Sequence, residues 1–261
     1  MRMNKTIGLI CVLAMAAASN AALVHHWALD EPSLTWNGSG WTGVQESVSS
    51  TVGDLWGYTS STDDLTQTGL GVLGNAGPLG GSDFAYDFAV DTGISGVATN
   101  VSTALPATGD FTLLAWIKTD NAHSAQGHVF SNNNAQAGRA NLFLQNKKAL
   151  FWAQGFTDGP IVSTSDVDDG IWHLLGIARS SGTFYLSVDG EVQDSFDGPS
   201  VSIDQGTMWM MGRQRSYTGN YEGLVGDVQV YNEALADYVP EPATLVLLGL
   251  GGLCLRRRRH A

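Results

Sequence analysis

Apolar residues in this chain occur in short runs that are separated by clusters of Gly, Asn, Asp and Ser. No stretch of the central region sustains a helical apolar period, and the runs are rich in β-branched and aromatic residues. The run Phe111–Ile117 is apolar at every position but one, which predicts a central strand that is buried on both faces. The pattern over residues 22–237 therefore predicts a single all-β domain, an antiparallel two-sheet sandwich.

Two tight hairpins are predicted within this domain. Asp189-Gly190 lies between the runs Thr183–Val188 and Glu191–Gln193, and an Asp-Gly pair favours the type I′ turn, in which both central residues have positive φ. The polar segment Gln145–Lys148 similarly separates two apolar runs. Both segments are predicted to be turns that join neighbouring antiparallel strands.

The first 21 residues have the organisation of a secretory signal peptide. Arg2 and Lys5 form a basic start, residues 7–18 are apolar, and small residues precede the predicted cleavage point after Ala21 or Ala22. We therefore expect an exported protein.

The C-terminal residues 238–261 form a second targeting segment. It contains a rigid Pro-Glu-Pro motif, thirteen uncharged residues at 243–255 and a basic cluster, namely Pro240, Glu241, Pro242, Arg256, Arg257, Arg258 and Arg259. The positive-inside rule predicts a hydrophobic anchor helix whose arginines stay in the cytoplasm. The alternative is a hydrophobic C-terminal helix of a soluble domain, although such a helix would not be expected to end in four arginines.

This three-part order resembles the PEP-CTERM sorting signal. The resemblance implies an exported protein of a Gram-negative bacterium that is held in the inner membrane by its C-terminal segment. It also implies an exosortase-type transpeptidase as a partner, and the cell surface or extracellular matrix as the final location.

Cysteine content and charge restrict the chemistry of the domain. Cys11 and Cys254 both lie in the targeting segments, so no disulfide or thiolate metal site is expected in the domain between these segments. Removing the targeting segments leaves seven Lys and Arg against twenty-four Asp and Glu, a net charge of about −17. Such a domain disfavours nucleic acid and anionic lipid as partners and is compatible with calcium or neutral polymers. Solubility alone is an equally good explanation of the acidity.

Five segments, in order, resemble the laminin-G-like domains of the concanavalin A class. They are Leu23–Glu31, Phe111–Lys118, Asp169–Leu175, Tyr185–Val192 and Tyr221–Leu235. The resemblance implies a jelly-roll sandwich, but it does not imply one function, because this fold serves lectins, adhesion modules and glycoside hydrolases alike.

No enzyme is indicated by the motifs. The Glu-x-Asp-x-x-Glu strand of laminarinase-type hydrolases is absent, as are a nucleophile elbow and a phosphate loop. His123 and His128 are predicted to lie in a polar loop, His25 and His26 to point to opposite faces of a strand, and His173 to pack and form hydrogen bonds. The histidines therefore do not indicate a zinc site.

Calcium is the one cofactor that the resemblance favours, because many of these sandwiches bind it at an edge through carboxylates. The candidate ligands are Asp30, Glu31 and Asp227, since the first and last strands of a jelly roll are often neighbours. Gly226 stands where the family usually has a further acid, which removes one ligand.

Glycan binding would require exposed flat aromatic rings beside polar side chains. The candidates are Trp41, Trp56 and Tyr58 in the polar stretch from Pro32 to Gly81, although packing at the end of the sandwich would also explain these rings. We expect a non-catalytic protein that binds or embeds in extracellular polysaccharide. The alternatives are a divergent glycoside hydrolase or lyase, and a structural matrix or adhesion protein without specific sugar binding.

Overall fold

The computed structural model describes residues 21–27, 29, 35–36, 41–42, 56–57, 72–78, 84–88, 97–98, 104–132, 138–203, 209–212 and 220–239. The strands of this part of the chain are β1 (Leu23–Trp27), β2 (Thr35–Trp36), β3 (Trp41–Thr42), β4 (Trp56–Gly57), β5 (Val72–Ala76), β6 (Phe84–Asp87), β7 (Val97–Ala98), β8 (Phe111–Lys118), β9 (Gly127–Ser131), β10 (Ala140–Gln145), β11 (Lys148–Ala153), β12 (Ile161–Asp166), β13 (Trp172–Ser180), β14 (Thr183–Val188), β15 (Glu191–Asp197), β16 (Met210–Met211) and β17 (Leu224–Tyr231). A short 3-10 helix, Ala236–Tyr238, follows the last strand.

The strands form two antiparallel sheets. The first sheet has the order β15-β14-β13-β8-β17-β6-β5, with β1 also paired to β17, and the second sheet has the order β12-β11-β10-β9-β16-β7-β4. Strands β2 and β3 form a separate two-stranded ribbon. The all-β sandwich is thus confirmed, and the first strand lies beside the last as predicted.

The core lies between the two sheets and is formed by alternate residues of their strands. Phe184 of the first sheet stacks on Phe151 of the second, with ring centroids 5.9 Å apart, and also meets Phe111 and Phe156 edge-on. Strand β8 is flanked by β13 and β17, and its Thr112 and Leu114 are also buried. The predicted burial of this central strand on both faces is confirmed.

Both predicted hairpins are present. Asn146 and Lys147 have φ values of 50° and 74° between β10 and β11, and Asp189 and Gly190 have φ values of 53° and 81° between β14 and β15. Positive φ at both central residues gives each turn a twist that matches the strands it joins.

The edge strands β12 and β15 of the two sheets are joined by side-chain hydrogen bonds. The Val162 N–H donates to Asp194 Oδ2 at 2.9 Å, and the Ser165 N–H donates to Gln193 Oε1 at 3.2 Å. These bonds occupy backbone donors of β12 that would otherwise be free to pair with another chain.

The two ends of the domain are tied together. The Ala22 N–H donates to Asn232 Oδ1 at 3.2 Å, and the Asn232 N–H donates to the Ala22 carbonyl at the same distance. Beyond β17, the Tyr238 ring lies beside Gly176 and Ser187, so the short 3-10 helix Ala236–Tyr238 lies against the outer face of the first sheet.

The predicted anchor helix lies outside the described residues, as do residues 1–20 of the predicted signal peptide. Across the part of the chain that is described, no helix has the length and apolar character needed to span a bilayer.

Candidate functional site

A cleft of about 380 Å³ opens on the outer face of the second sheet, and we refer to it as the β10 cleft. Its described lining consists of Gln126, Arg139, Asn141, Phe143, Gln145, Trp152 and Pro160. The lining follows from strand alternation, because Ala140, Leu142 and Leu144 of β10 enter the core and the residues between them face outward. Three of the lining residues are thus presented side by side along one rigid strand.

Asn141 and Trp152 form a cross-strand pair in the β10 cleft. The Trp152 side chain is partly exposed and offers an apolar surface. Asn141 is only 5% exposed, and among the described residues its Oδ1 atom has no hydrogen-bond partner. A buried acceptor without a partner costs stability, so this atom is suited to receive a hydroxyl or amine from a ligand.

His128 of β9 pairs with Phe143, one of the residues that line the cleft, and the two ring centroids are 5.4 Å apart. It is 1% exposed, and neither ring nitrogen has a hydrogen-bond partner within the described part of the chain. Burial, reinforced by the charge of Arg139, lowers the pKa of His128 to about 4. The imidazole is therefore neutral at neutral pH.

The electrostatics of the β10 cleft differ from those of the whole protein. The chain has a formal net charge of −12, yet no carboxylate lies among the described residues that line the cleft, and Arg139 contributes a positive charge. With two rings, three amides and a guanidinium, the cleft can bind a polar ligand that also has an apolar face. The described lining contains no carboxylate pair of the kind that glycoside hydrolases use.

A second cleft of about 340 Å³ lies where β8 ends and β17 begins. Its described lining includes three carboxylates, those of Asp87, Asp120 and Glu222. The Asn121 amide donates to the Glu222 carboxylate, and the Thr119 hydroxyl donates to the Glu222 carbonyl at 2.6 Å. These bonds hold the loop after β8 against the start of β17.

His123 contacts two residues just before β17, beside this second cleft. It stacks on Tyr221 with centroids 5.2 Å apart, and its Nε2 accepts the Glu222 N–H at 3.0 Å. Burial lowers the pKa of His123, which keeps Nε2 available as an acceptor.

The structure corrects the sequence-based placement of two histidines. His128 lies in strand β9, so the prediction of a polar loop is wrong for it, and His123 is buried although it does lie in a loop. The polar residues around them predicted a loop, whereas His123 stacks on Tyr221 and His128 lies against Phe143. His173 packs and bonds as predicted, with Nδ1 2.8 Å from Asp189 Oδ2.

The structure describes Asp227 but not the other two predicted calcium ligands, Asp30 and Glu31. Asp227 lies in a β-bulge of β17 with a φ of 46°, and its carboxylate contacts His26 Nε2 and accepts the Gln229 amide at 2.7 Å. Within the described residues, no group of three or more His, Cys, Asp or Glu is arranged to hold a metal ion. Calcium binding stays a prediction.

The predicted glycan-binding aromatics lie largely outside the described residues. The backbones of Trp41 and Trp56 lie in β3 and β4, while their side chains and the whole of Tyr58 fall outside the described residues, as do the sorting residues 240–242 and 256–259. Ala21, the predicted cleavage residue, lies just before β1. The sequence reasoning missed the β10 cleft, although the alternation of Asn141, Phe143 and Gln145 with smaller and aliphatic residues was visible.

Comparison with solved structures shows the same fold in proteins of low sequence identity. Domain 4 of AbnA, a GH43 extracellular arabinanase from Geobacillus stearothermophilus solved with arabinotriose, matches with a TM-score of 0.58 and 14% identity over 83% of this chain and 95% of that chain. The binding domain of Paraclostridial Mosquitocidal Protein 1 matches with a TM-score of 0.54 and 12% identity over 82% of this chain and 50% of that chain.

The ligand binding domain of botulinum neurotoxin serotype D, solved with N-acetylneuraminic acid, matches with a TM-score of 0.50 and 12% identity over 83% of this chain and 48% of that chain. This chain thus spans about half the length of each of the two toxin structures. No curated protein sequence matches the chain significantly.

Two family profiles match the sequence. Residues 239–259 match the PEP-CTERM protein-sorting motif, which marks an exported protein that is anchored at the membrane by its C-terminus before an exosortase-type system processes it. Residues 91–237, more than half of the chain, match the laminin-G-type profile described as concanavalin A-like lectin/glucanases superfamily. Together with the two-sheet sandwich, this match shows that the chain belongs to the concanavalin A-like lectin/glucanases superfamily.

Proposed function

We propose that this exported protein is a non-catalytic glycan-binding module that recognises extracellular polysaccharide through the β10 cleft. The observation that carries the proposal is the pairing, on adjacent strands, of the partly exposed Trp152 with the buried Asn141, whose Oδ1 has no hydrogen-bond partner among the described residues. Sugars have an apolar ring face and a rim of hydroxyls. An aromatic platform beside a fixed acceptor matches both features.

The size and rigidity of the cleft support this proposal. A volume of about 380 Å³ lies within the usual range of roughly 300–1,000 Å³ for small-molecule sites. Asn141 and Trp152 are held by the backbone pairing of β10 and β11 rather than by a loop, so little conformational entropy is lost on binding. The arabinotriose and N-acetylneuraminic acid in two of the similar structures are carbohydrate ligands of the same fold.

The position of the C-terminal segment supports a surface role. Tyr238 packs on the outer face of the first sheet, and the sorting motif begins directly after it. The β10 cleft lies on the other sheet, so packing of Tyr238 leaves it accessible to polysaccharide outside the cell.

A glycan array tests this proposal. The purified full chain in detergent is applied to the array with calcium and with a chelator. The variant Trp152→Ala is tested in the same way. Trp172→Ala is the matched control, because Trp172 is a partly exposed residue of the first sheet. We expect saturable binding to one glycan class that is lost in Trp152→Ala and retained in Trp172→Ala. Equal loss in both variants, or a blank array for a folded protein, would reject the proposal.

A divergent hydrolase or lyase is the alternative that a specific observation favours, because Asp87, Asp120 and Glu222 line the second cleft. Release of reducing ends or unsaturated products from a polysaccharide panel, abolished by Glu222→Gln but not by Trp152→Ala, would establish that alternative. Self-association of the protein without any glycan would instead point to a structural matrix role.

A further inference from the structure

We propose that the β10 cleft selects an acidic sugar, with Arg139 binding the carboxylate of a uronate unit while its ring lies on Trp152. This inference rests on the proposed glycan-binding function and narrows it to one class of substrate. Its starting point is the contrast between an acidic protein and a cleft in which the described lining carries one cation and no carboxylate.

The backbone around Arg139 is held from two sides. Asn132 donates to the Gly138 carbonyl at 3.0 Å through Nδ2 and accepts the Ala140 N–H at 2.7 Å through Oδ1. On the other side, the Gln154 N–H donates to the Arg139 carbonyl at 2.7 Å, and Gln154 Oε1 accepts the Gly138 N–H at 3.0 Å. These bonds fix the backbone of residues 138–140, so Arg139 is held in place immediately before the first residue of β10.

Arg139 is suited to a carboxylate rather than to a hydroxyl alone. Its planar guanidinium presents five N–H donors and forms paired hydrogen bonds with the two oxygens of a carboxylate. Five donors allow it to bind a ligand while it keeps an interaction within the protein. Arg139 is the one cation among the described lining residues, and the neutral His128 beside Phe143 adds no second positive charge.

Asn141 and Trp152 complete a three-point arrangement. Asn141 lies two residues after Arg139, both residues line the β10 cleft, and Asn141 pairs directly with Trp152. Asn141 Oδ1, which has no partner within the described part of the chain, is an acceptor for a ring hydroxyl, and Trp152 provides a surface for the apolar face of the ring. A uronate has a carboxylate, hydroxyls and an apolar ring face, which correspond to these three groups.

The acidic surface affects how this inference is tested. With twenty-five Asp and Glu against thirteen Lys and Arg, the protein repels a long polyanion through its overall field. Short oligosaccharides avoid that repulsion, so three acidic trimers are used, containing galacturonate, glucuronate or mannuronate. Each is compared with its methyl ester, which has the same ring and hydroxyls but no charge.

Calorimetric titration of the full chain in detergent, with Arg139→Gln, Arg139→Lys and Trp152→Ala, measures the effect. We expect at least one acid to bind tenfold or more tightly than its ester. In Arg139→Gln that preference should fall to less than about twofold, Arg139→Lys should be intermediate, and Trp152→Ala should weaken acid and ester alike. Lys147→Gln is the control for the loss of a cation outside the cleft. Lys147 lies in the hairpin after β10, and its side chain pairs with Asp168.

The failures of the two proposals are distinguishable. Acid and ester binding with equal affinity, or an Arg139→Gln variant that keeps the preference, overturns the acidic-sugar inference but leaves glycan binding intact. Neutral glycans that bind in a Trp152-dependent way, with none of the acids binding, have the same consequence. A folded protein that binds neither these trimers nor any glycan on the array overturns both proposals.

Discussion

His26 of the first strand contacts the carboxylate of Asp227 at the bulge of the last strand, across 201 residues of sequence. Gln229 donates to the other oxygen of the same carboxylate, and Tyr231 donates to Gln229 Oε1 at 2.7 Å. The side chain that the sequence marks as a calcium ligand therefore has partners within the protein. A calcium ion at Asp227 would have to share this carboxylate with both partners or displace one of them.

Replacing Asp227 should destabilise the junction of β1 and β17. Asp227→Ala loses hydrogen bonds to a charged group and places alanine at a positive φ, so we expect a loss of about 2 kcal/mol in unfolding free energy. Asp227→Asn tolerates that φ and should lose about 1 kcal/mol. Urea unfolding measures both variants.

The partner variant His26→Ala provides the control for this prediction. If the contact accounts for the loss, the double variant should lose less than the sum of the single variants. Additive losses would argue against a direct contribution of the pair. Adding a chelator to the wild type shows separately whether calcium stabilises the same region.

The buried His128 should make stability depend on pH. Its pKa is about 4 in the folded protein, against 6.5 for an ordinary histidine, so the unfolded chain binds more protons between these values. The contribution of the neutral His128 to the free energy of unfolding is complete above pH 6.5 and is lost as the pH falls toward 4. The largest loss is about 3 kcal/mol. Urea midpoints from pH 7 to pH 4 measure this loss.

His128→Phe removes the titrating group and keeps an aromatic ring opposite Phe143. We expect a shallower fall in stability with pH in this variant. Some slope should persist because burial also lowers the pKa of His123, which acts in the same direction. A slope identical to that of the wild type would show that His128 is not its source.

Asp189 combines a turn conformation with two hydrogen bonds, which makes the hairpin after β14 a sensitive position. Its carboxylate accepts the Leu174 N–H at 2.9 Å and lies 2.8 Å from His173 Nδ1. Asp189→Ala should therefore cost about 2–3 kcal/mol, as measured by thermal and urea unfolding.

Gly190 provides the matched comparison within the same turn. It has a φ of 81°, and a Cβ atom at this position would meet nothing within 4 Å. Gly190→Ala should therefore cost only the conformational term, about 1 kcal/mol. Equal losses in the two variants would show that the Asp189 side-chain bonds contribute little.

Gly176 allows the C-terminal segment to lie on the first sheet. A Cβ atom at this position would come within 2.8 Å of Tyr238 Cδ1 and closer still to Ser187 Oγ. We expect Gly176→Ala to displace Tyr238, to cost about 1–3 kcal/mol and to increase proteolysis after residue 235. Glycan binding at the β10 cleft should be unchanged, because that cleft lies on the other sheet.

Tyr238→Ala separates the two effects of this substitution. It should raise proteolysis of the C-terminal segment by itself and should reduce the additional cost of Gly176→Ala. If Gly176→Ala leaves the cleavage pattern of the wild type unchanged, the packing of Tyr238 does not hold the segment in place.

Local sequence signals determined the elements of this protein and its fold class. Asp189-Gly190 predicts its hairpin because a type I′ turn needs positive φ at adjacent residues, and Phe111–Ile117 predicts a central strand because it has no polar face. The sorting segment is equally local, since a Pro-Glu-Pro motif, an apolar run and a basic cluster are read along the chain.

Only the tertiary structure decided which polar side chains meet. Asn141 faces Trp152 through the register of β10 and β11, and Gln126 and Pro160 reach the same cleft from the starts of two other strands. The sequence also shows the net charge but not its distribution over the surface. It therefore could not predict, in an acidic chain, a cleft whose described lining contains no carboxylate. Strand alternation assigns each residue to a face, whereas register and sheet order determine its neighbours on that face.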